Sequence, residues 1–410
     1  MSGAAVPGLG RATPEDVGLS TVALERVDAA VQKRIDGKVI AGALTLVARH
    51  GKIVRTSSMG VDDRRTGKRL ATDTIVRIFS MTKPVTGIAM GILADRGLWS
   101  PNDPIAQHLP ELADLKVCTG FDRQGRPTLE TAAHPPTVAE LLTHTAGFVY
   151  GSKRTDRIGR LYARHRLLRS RSTDEFLDRL RRLPLAYQPG TQWRYSLAMD
   201  IQGALIERLT GQSLPDFFQQ HIFQPLGMVD TAFHTPPHKL SRRARLYYTG
   251  GPFHLLKGPN VFSKDFTRQP DFALGGMGLV STLDDYTRFA QLLLNRGQYA
   301  GQRIVSADSV TAQMTNHLPQ SLLTQGFRAG HMHIRPGFGF GWNGAVVHDP
   351  QQAGLPVGRG TYLWDGAAGT WFWADPEHDL LYIGLIQLLS YTAPPLQALT
   401  QRLMADAILD

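Results

Sequence analysis

The chain has 410 residues, 42% hydrophobic and 20% charged, which is enough apolar material for a sizeable core and enough length for two lobes. One cysteine, Cys118, excludes an internal disulfide framework, and no run approaches the roughly 20 apolar residues that a membrane-spanning helix needs. The net charge of +10 raises a nucleic-acid or membrane-surface partner as a question. Arginine far outnumbers lysine, and the basic residues are widely spread. Their densest cluster, Lys153 to Arg182 with Arg160, Arg164, Arg166, Arg169 and Arg171, is interrupted by Asp174, Glu175 and Asp178. No zinc-finger spacing, RNA-binding aromatic signature or heptad repeat accompanies it, so it reads as a solvated helical face, with no nucleic acid and no membrane as partner. Met1 to Gly10 lacks the basic start and apolar run of a signal peptide, so the expected location is the cytoplasm.

In chain order, Ser20 caps a predicted helix from Ala23 towards Ile35, with Val27, Ala30, Val31 and Ile35 at helical spacing and Gly37 as its stop. Ala43 to Ala48 and Lys52 to Arg55 are β-rich runs joined by His50-Gly51, a hairpin turn. Thr74 to Phe79 leads into Ser80 and a helical stretch to Arg96, with Gly97 as the stop. Residues from Trp99 to Asn260 carry helical patterns and proline-punctuated loops. Strand-like runs return at Phe338 to Trp342, Thr361 to Trp364, Thr370 to Ala374 and Leu380 to Gln387, and an amphipathic helix is expected from Pro395 to Ile408. Sheet-forming sequence at both ends implies a discontinuous α/β lobe (1–98 and 261–410) around a mainly helical lobe (99–260), with a site in the cleft between them. Short connections between the C-terminal strands favour antiparallel pairing.

Three elements carry chemistry. In Ser80-Met81-Thr82-Lys83 the three-residue spacing puts both reactive side chains on one helix face, so Lys83 Nζ can reach Ser80 Oγ. A desolvated, neutral lysine can take the serine proton that otherwise keeps a hydroxyl a poor nucleophile. Gln192-Trp193-Arg194-Tyr195-Ser196-Leu197 follows the turn Pro189-Gly190-Thr191 and precedes a helical run from Ala198, so the Tyr195 phenol can project into a cleft and relay a proton. Trp364-Asp365-Gly366-Ala367 closes a strand with small residues, whose backbone N–H groups can serve as oxyanion donors. Each element has an ordinary local reading taken alone: a helix cap, an aromatic packed at a helix start, and a buried tryptophan before a tight turn.

Together, in this order and spacing, they resemble the serine β-lactamase and penicillin-binding superfamily, whose first motif is S-x-x-K. The chain is most similar to family VIII carboxylesterases, which share the class C β-lactamase fold. Leu141-Leu142-Thr143-His144-Thr145-Ala146-Gly147, Pro225-Leu226-Gly227-Met228 and Gly275 to Thr282 add to the match, which spans nearly the whole chain. The fold implied is α+β, β-lactamase/transpeptidase-like, with an antiparallel sheet flanked by helices beside the helical lobe. The resemblance implies Ser80 as nucleophile, Lys83 as its base, Tyr195 as proton partner of the leaving alkoxide, and the N–H groups of Ser80 and Ala367 as the oxyanion hole. Trp364 stands where β-lactamases and peptidases carry the lysine of K-T-G, and Leu197 where class C enzymes carry an asparagine. Both departures remove polar anchors for β-lactams. The resemblance further implies that Trp364 and Gly366 join Ala367 in the oxyanion and substrate-binding site, Trp364 covering with its apolar face the position of that lysine.

The remaining motifs read as structure. His144 is expected to shape its turn. Thr282-Leu283-Asp284-Asp285 fits a capping box. His221, His234, His238, His254, His317, His331 and His333 form no metal-ligand pattern, and Gly337 to Gly341 reads as a glycine-relieved strand, not a phosphate loop. No G-x-S-x-G occurs. The expected activity is therefore cofactor-free hydrolysis of short or small apolar carboxylic esters through an acyl-enzyme. The alternatives are an acyltransferase of the same fold, a weak amide or β-lactam hydrolase and, from another class, a non-catalytic penicillin-binding-like receptor.

Overall fold

Both ends of the chain feed one nine-stranded sheet. The computed structural model describes residues 8–151, 156–249, 255–257, 266–323, 327–329, 332–334, 336–389 and 396–409. The strands of the sheet are β1 (Gly10–Arg11), β2 (Gly42–Arg49), β3 (Lys52–Asp63), β4 (Lys68–Arg69), β5 (Phe338–Phe340), β6 (Ala345–Val347), β7 (Thr361–Gly366), β8 (Thr370–Asp375) and β9 (Leu380–Leu385). Their spatial order is β1-β3-β2-β9-β8-β7-β6-β5, with β4 beside β3. Only β1 and β3 run parallel; every other pair is antiparallel. The join between the chain's ends is β2 on β9, a six-residue register from Leu44↔Leu385 to Arg49↔Leu380.

The sheet is covered on both faces, so its central strands are apolar throughout instead of alternating. On β8, Trp371 and Trp373 stack on Tyr382 of β9, and the Trp371 indole N–H donates to Thr400 Oγ1 of helix Leu396–Ala405. Phe372 points the other way, edge-on to Tyr286 of helix Leu283–Leu294. Helices α1 (Thr21–Asp36) and α5 (Leu396–Ala405) pack on each other against one face of the sheet, α4 (Leu283–Leu294) covers the other, and α2 (Thr82–Asp95) packs against α3 (Ala198–Thr210). Ser20 caps α1 by accepting the Ala23 N–H. Residues 82–93 of α2 are buried on every side, the signature of a helix inside a core and not on its rim.

Several boundaries differ from expectation. The His50-Gly51 turn forms with both residues at positive φ, and β3 runs eight residues beyond Arg55, to Asp63. Strand β6 and the hairpin Lys116–Phe121/Pro127–Thr131 were not anticipated; the hairpin is largely exposed and lacks the apolar alternation that marks a half-buried strand. The capping box is only half made. Thr282 Oγ1 accepts the Asp285 N–H, but the buried Asp285 carboxylate accepts from Asp230 N and Thr231 Oγ1, tying a neighbouring segment to α4.

Segment 99–260 packs against the sheet through a reciprocal amide pair. Gln202 Nε2 of α3 donates to Asn343 Oδ1 at 3.0 Å, Asn343 Nδ2 returns a bond to Gln202 Oε1 at 2.7 Å, and both residues are fully buried. Gln202 also donates to Leu141 O, so α3, the Leu141-to-Gly147 turn and the β5–β6 connection are fixed together. On the surface of this segment Arg171 and Arg179 pair with Glu175, Arg181 and Arg182 with Asp178, and Arg194 with Asp156. Lys153 lies outside the described residues. Among those described, no helix is long and apolar enough to cross a membrane.

Candidate active site

Ser80 lies in a single 3₁₀ turn, Phe79–Met81, that runs directly into α2. The turn begins with strain: Phe79 has φ +43°, a left-handed value that costs a non-glycine residue about 1–3 kcal/mol. Packing over-determines it. Phe79 is buried edge-on to Phe266 in a small apolar cluster with Ile75, Leu246, Val280 and Ala368. The Gly275-to-Thr282 segment clamps the same turn, because Ile78 N donates to Leu279 O and Leu279 N donates to Thr82 Oγ1. Ser80 remains partly exposed, while Lys83, one helical turn on, is completely buried.

Lys83 Nζ lies 3.2 Å from Ser80 Oγ, 2.7 Å from Gly276 O and 3.3 Å from Tyr150 OH. As an ammonium it donates to all three; as a neutral amine it can accept the Ser80 proton along the first. Burial pushes its pKa down to about 7, against opposing fields from Asp200 and Asp365. Asp200 is internal and accepts the Gly276 N–H at 3.0 Å, so one glycine bridges the buried carboxylate and the lysine.

Tyr195 donates its phenol proton to Ser80 Oγ at 2.7 Å, and its ring centroid lies 4.7 Å from Lys83 Nζ. Burial holds the phenol well above its ordinary pKa, while the bond to Ser80 and the nearby Trp364 indole favour the ionised form. His144, at φ +61°, anchors this segment: its carbonyl accepts from Arg194 N and Tyr187 OH, its Nδ1 pairs with Ser196 Oγ, and its ring packs on Tyr195 at 5.0 Å. Burial and the Lys83 charge push the imidazole pKa well below 6.5. His144 thus holds Tyr195 in place and makes no hydrogen bond with Ser80 or Lys83.

Tyr150 escaped the sequence reading. It follows the Leu141-to-Gly147 motif by three residues with no spacing that marks it, yet its hydroxyl meets Lys83 and its ring packs 5.3 Å from Tyr195. Trp364 also sits otherwise than expected. A tryptophan covering the cleft would present its apolar face to substrate, but Trp364 is 1% exposed, wedged between Tyr195 and Phe340 at 5.8 and 5.4 Å. It acts on the site through Tyr195. Leu197 is likewise buried.

Gly366 ends β7 against the nucleophile turn. A Cβ there would overlap the Ile78 carbonyl oxygen and Thr370 Oγ1, so only glycine lets the strand end approach the Ser80 turn this closely. Ala367 follows directly, beyond the last β7–β8 register pair, Gly366↔Thr370. The end of β7, with Ala367 next in the chain, is thus held against the turn that carries Ser80, through Gly366 and the Thr370 Oγ1 bond to Ile78 O. Gly366→Ala is expected to push them apart and lower kcat about 100-fold, the scale of a misplaced oxyanion donor, with far-UV circular dichroism unchanged. Steady-state kinetics checks this; wild-type kcat would mean that the spacing does not matter.

Among the described residues, no group of three or more His, Cys, Asp or Glu side chains is arranged to hold a metal ion. His254 and His331 lie outside the described residues.

A serine hydroxyl flanked by a buried lysine and a tyrosine is an arrangement able to carry acyl transfer. Comparison with known proteins agrees on the class. The beta-lactamase family profile matches residues 27–405, and this chain belongs to that family. It is 34% identical over 371 residues to an uncharacterized protein of Mycobacterium tuberculosis, covering 89% of this chain and 90% of the relative. It is 31% identical over 368 residues to esterase EstB of Burkholderia gladioli, covering 85% and 86%. The structure of EstCE1, described as a hydrolase with promiscuous acyltransferase activity, superimposes with a TM-score of 0.75 at 25% identity, covering 95% of this chain and 98% of that one. The fold is thus the α+β β-lactamase/transpeptidase-like fold, and these likenesses support a serine hydrolase working by ester hydrolysis or acyl transfer.

Proposed function

We propose that the protein is a carboxylesterase that cleaves short or small apolar esters through an acyl-enzyme on Ser80. The observation that carries this reading is the convergence of Lys83 Nζ (3.2 Å) and Tyr195 OH (2.7 Å) on one serine oxygen. Neutral Lys83 takes the Ser80 proton as Oγ attacks the ester carbonyl, and the N–H groups of Ser80 and Ala367 stabilise the oxyanion. Collapse breaks the bond to the alcohol, which leaves with a proton passed through Tyr195, replenished from Lys83. Water then attacks the acyl-enzyme by the reverse proton route and releases the acid, returning Ser80 and Lys83 to their starting states.

Transfer to an alcohol in place of water is a second reading, supported by the likeness to EstCE1, a hydrolase with promiscuous acyltransferase activity. The same acyl-enzyme serves both, and the acceptor alone differs. Weak β-lactam turnover is disfavoured, because a buried indole at Trp364 offers a β-lactam carboxylate no cation.

The test is a series of p-nitrophenyl esters of graded acyl length run beside a chromogenic cephalosporin, with and without an added primary alcohol. We expect kcat/KM to peak at short acyl chains and to exceed that for the cephalosporin by on the order of 10²-fold or more, the scale of discrimination when a site lacks a polar anchor. Product analysis separates free acid from transferred ester. Cephalosporin turnover equal to that of the best ester would overturn the esterase assignment.

A further inference from the structure

Trp364 holds a buried hydrogen-bond donor without an acceptor. The residue is 1% exposed, and its indole Nε1–H has no hydrogen-bond partner among the described residues. Buried donors in folded proteins are nearly always paired, so one left open beside a reacting group needs a reason. Side chains alternate along β7, which puts Trp364 and Gly366 on one face of the strand. On that face Gly366 meets the Ile78 carbonyl, at the start of the turn that carries Ser80. The Trp364 ring lies there too, its centroid 5.8 Å from that of Tyr195.

Tyr195 supplies the acceptor. Its O–H donates to Ser80 Oγ at 2.7 Å, and among the described residues its oxygen accepts no hydrogen bond in return, so its lone pairs are open. The Trp364 indole already bears on this oxygen, favouring the ionised form against the burial that disfavours it. Charge appears on the oxygen only during turnover. As the tetrahedral intermediate collapses, the bond from carbon to the alcohol oxygen breaks and its electron pair stays with that oxygen, which takes the Tyr195 proton. Lys83, then an ammonium, returns a proton to the phenolate. Between the two transfers the phenolate sits in a buried setting, where a donor fixed in advance acts more strongly than in water.

We propose that Trp364 is a positioning residue of the proton relay: its indole N–H donates to the Tyr195 oxygen as the phenolate forms, which lets Tyr195 protonate poor alcohol leaving groups. The proposal rests on the ester-hydrolase reading above and extends its substrate class to esters of unactivated alcohols.

Two pairs of butyrate esters, each close in size, vary the need for that proton: p-nitrophenyl against p-tolyl, and trifluoroethyl against ethyl. The first member of each pair leaves readily as an anion, and the second depends on being protonated. For each protein kcat/KM, which reports acylation, is measured by pH-stat and expressed as the ratio within a pair, so that a general loss of activity cancels. Trp364→Phe keeps an apolar ring and removes the N–H. It is expected to raise both ratios about tenfold over wild type, the scale of one hydrogen bond to a charged group. Benzothienylalanine introduced in place of Trp364 preserves the ring shape with sulfur where the N–H was. It is expected to raise the ratios equally, and it carries the test if the phenylalanine variant does not fold. Ratios unchanged in a folded variant, which includes an equal loss on both members of a pair, would mean that the indole only packs, and they overturn the proposal. That result leaves the esterase reading intact if ethyl butyrate is still turned over by the wild type and Ser80→Ala abolishes that turnover. Undiminished turnover in Ser80→Ala would instead sink the esterase reading and the relay with it.

Discussion

Ser80→Ala is expected to lower ester kcat by on the order of 10³-fold or more, and a p-nitrophenyl alkylphosphonate is expected to label the wild type once, on the peptide containing Phe79-Ser80-Met81. The reagent reports the chemistry directly: Oγ forms a bond to phosphorus, p-nitrophenolate departs, and the stable adduct adds a defined mass. Ser80 is favoured over every other hydroxyl because it accepts a hydrogen bond from Tyr195 while lying next to a buried lysine. Cys118 is the obvious rival nucleophile by reactivity, but its Sγ is engaged with Gly120 O in a hairpin remote in sequence from both site motifs. Intact mass and peptide mapping decide between them. An adduct on another residue, or wild-type turnover by a folded Ser80→Ala protein, would end the acyl-enzyme mechanism.

What could be read from the residues follows from the range of the interactions involved. Ser80 and Lys83 are one helical turn apart, so local geometry put their contact within reach, and the other motifs then favoured it over a simple helix cap. The strands of the C-terminal half were legible because full burial makes Thr370–Asp375 and Leu380–Leu385 almost continuously apolar. Contacts across long sequence separations were not legible from pattern. Lys83 with Tyr150 (67 residues apart) and with Gly276 (193 apart) arise only after α2, the Leu141-to-Gly147 turn and the Gly275 loop are packed together. Trp364 was misjudged for a related reason. Its identity announces an apolar site, but whether its face meets substrate or the back of Tyr195 depends on packing of β7 against the Trp193-to-Ser196 segment. The half-made capping box teaches the same point, since the Asp285 carboxylate is drawn away from its own helix start by Asp230 and Thr231.

Lys83→Arg is expected to lose at least ~10²-fold in the acylation rate even though positive charge is retained. A guanidinium stays protonated at any working pH and cannot accept the Ser80 proton. The buried site already disfavours a charge on Lys83 itself, pushing its pKa down to about 7, and that depression gives a second, independent signature. Because the base must be neutral, kcat/KM for the wild type should rise about tenfold per pH unit below about 7 and level off above it, as the ammonium gives up its proton. The opposing fields fix the direction of a further shift. Asp200 favours the ammonium, so Asp200→Asn removes a negative neighbour and should move this acid limb to lower pH, not higher. A pH–rate series with stopped-flow detection of the first turnover measures both effects. Near-wild-type acylation by Lys83→Arg would mean that residue 83 acts as a fixed charge, and an acid limb unmoved by Asp200→Asn would mean that the limb belongs to some other group.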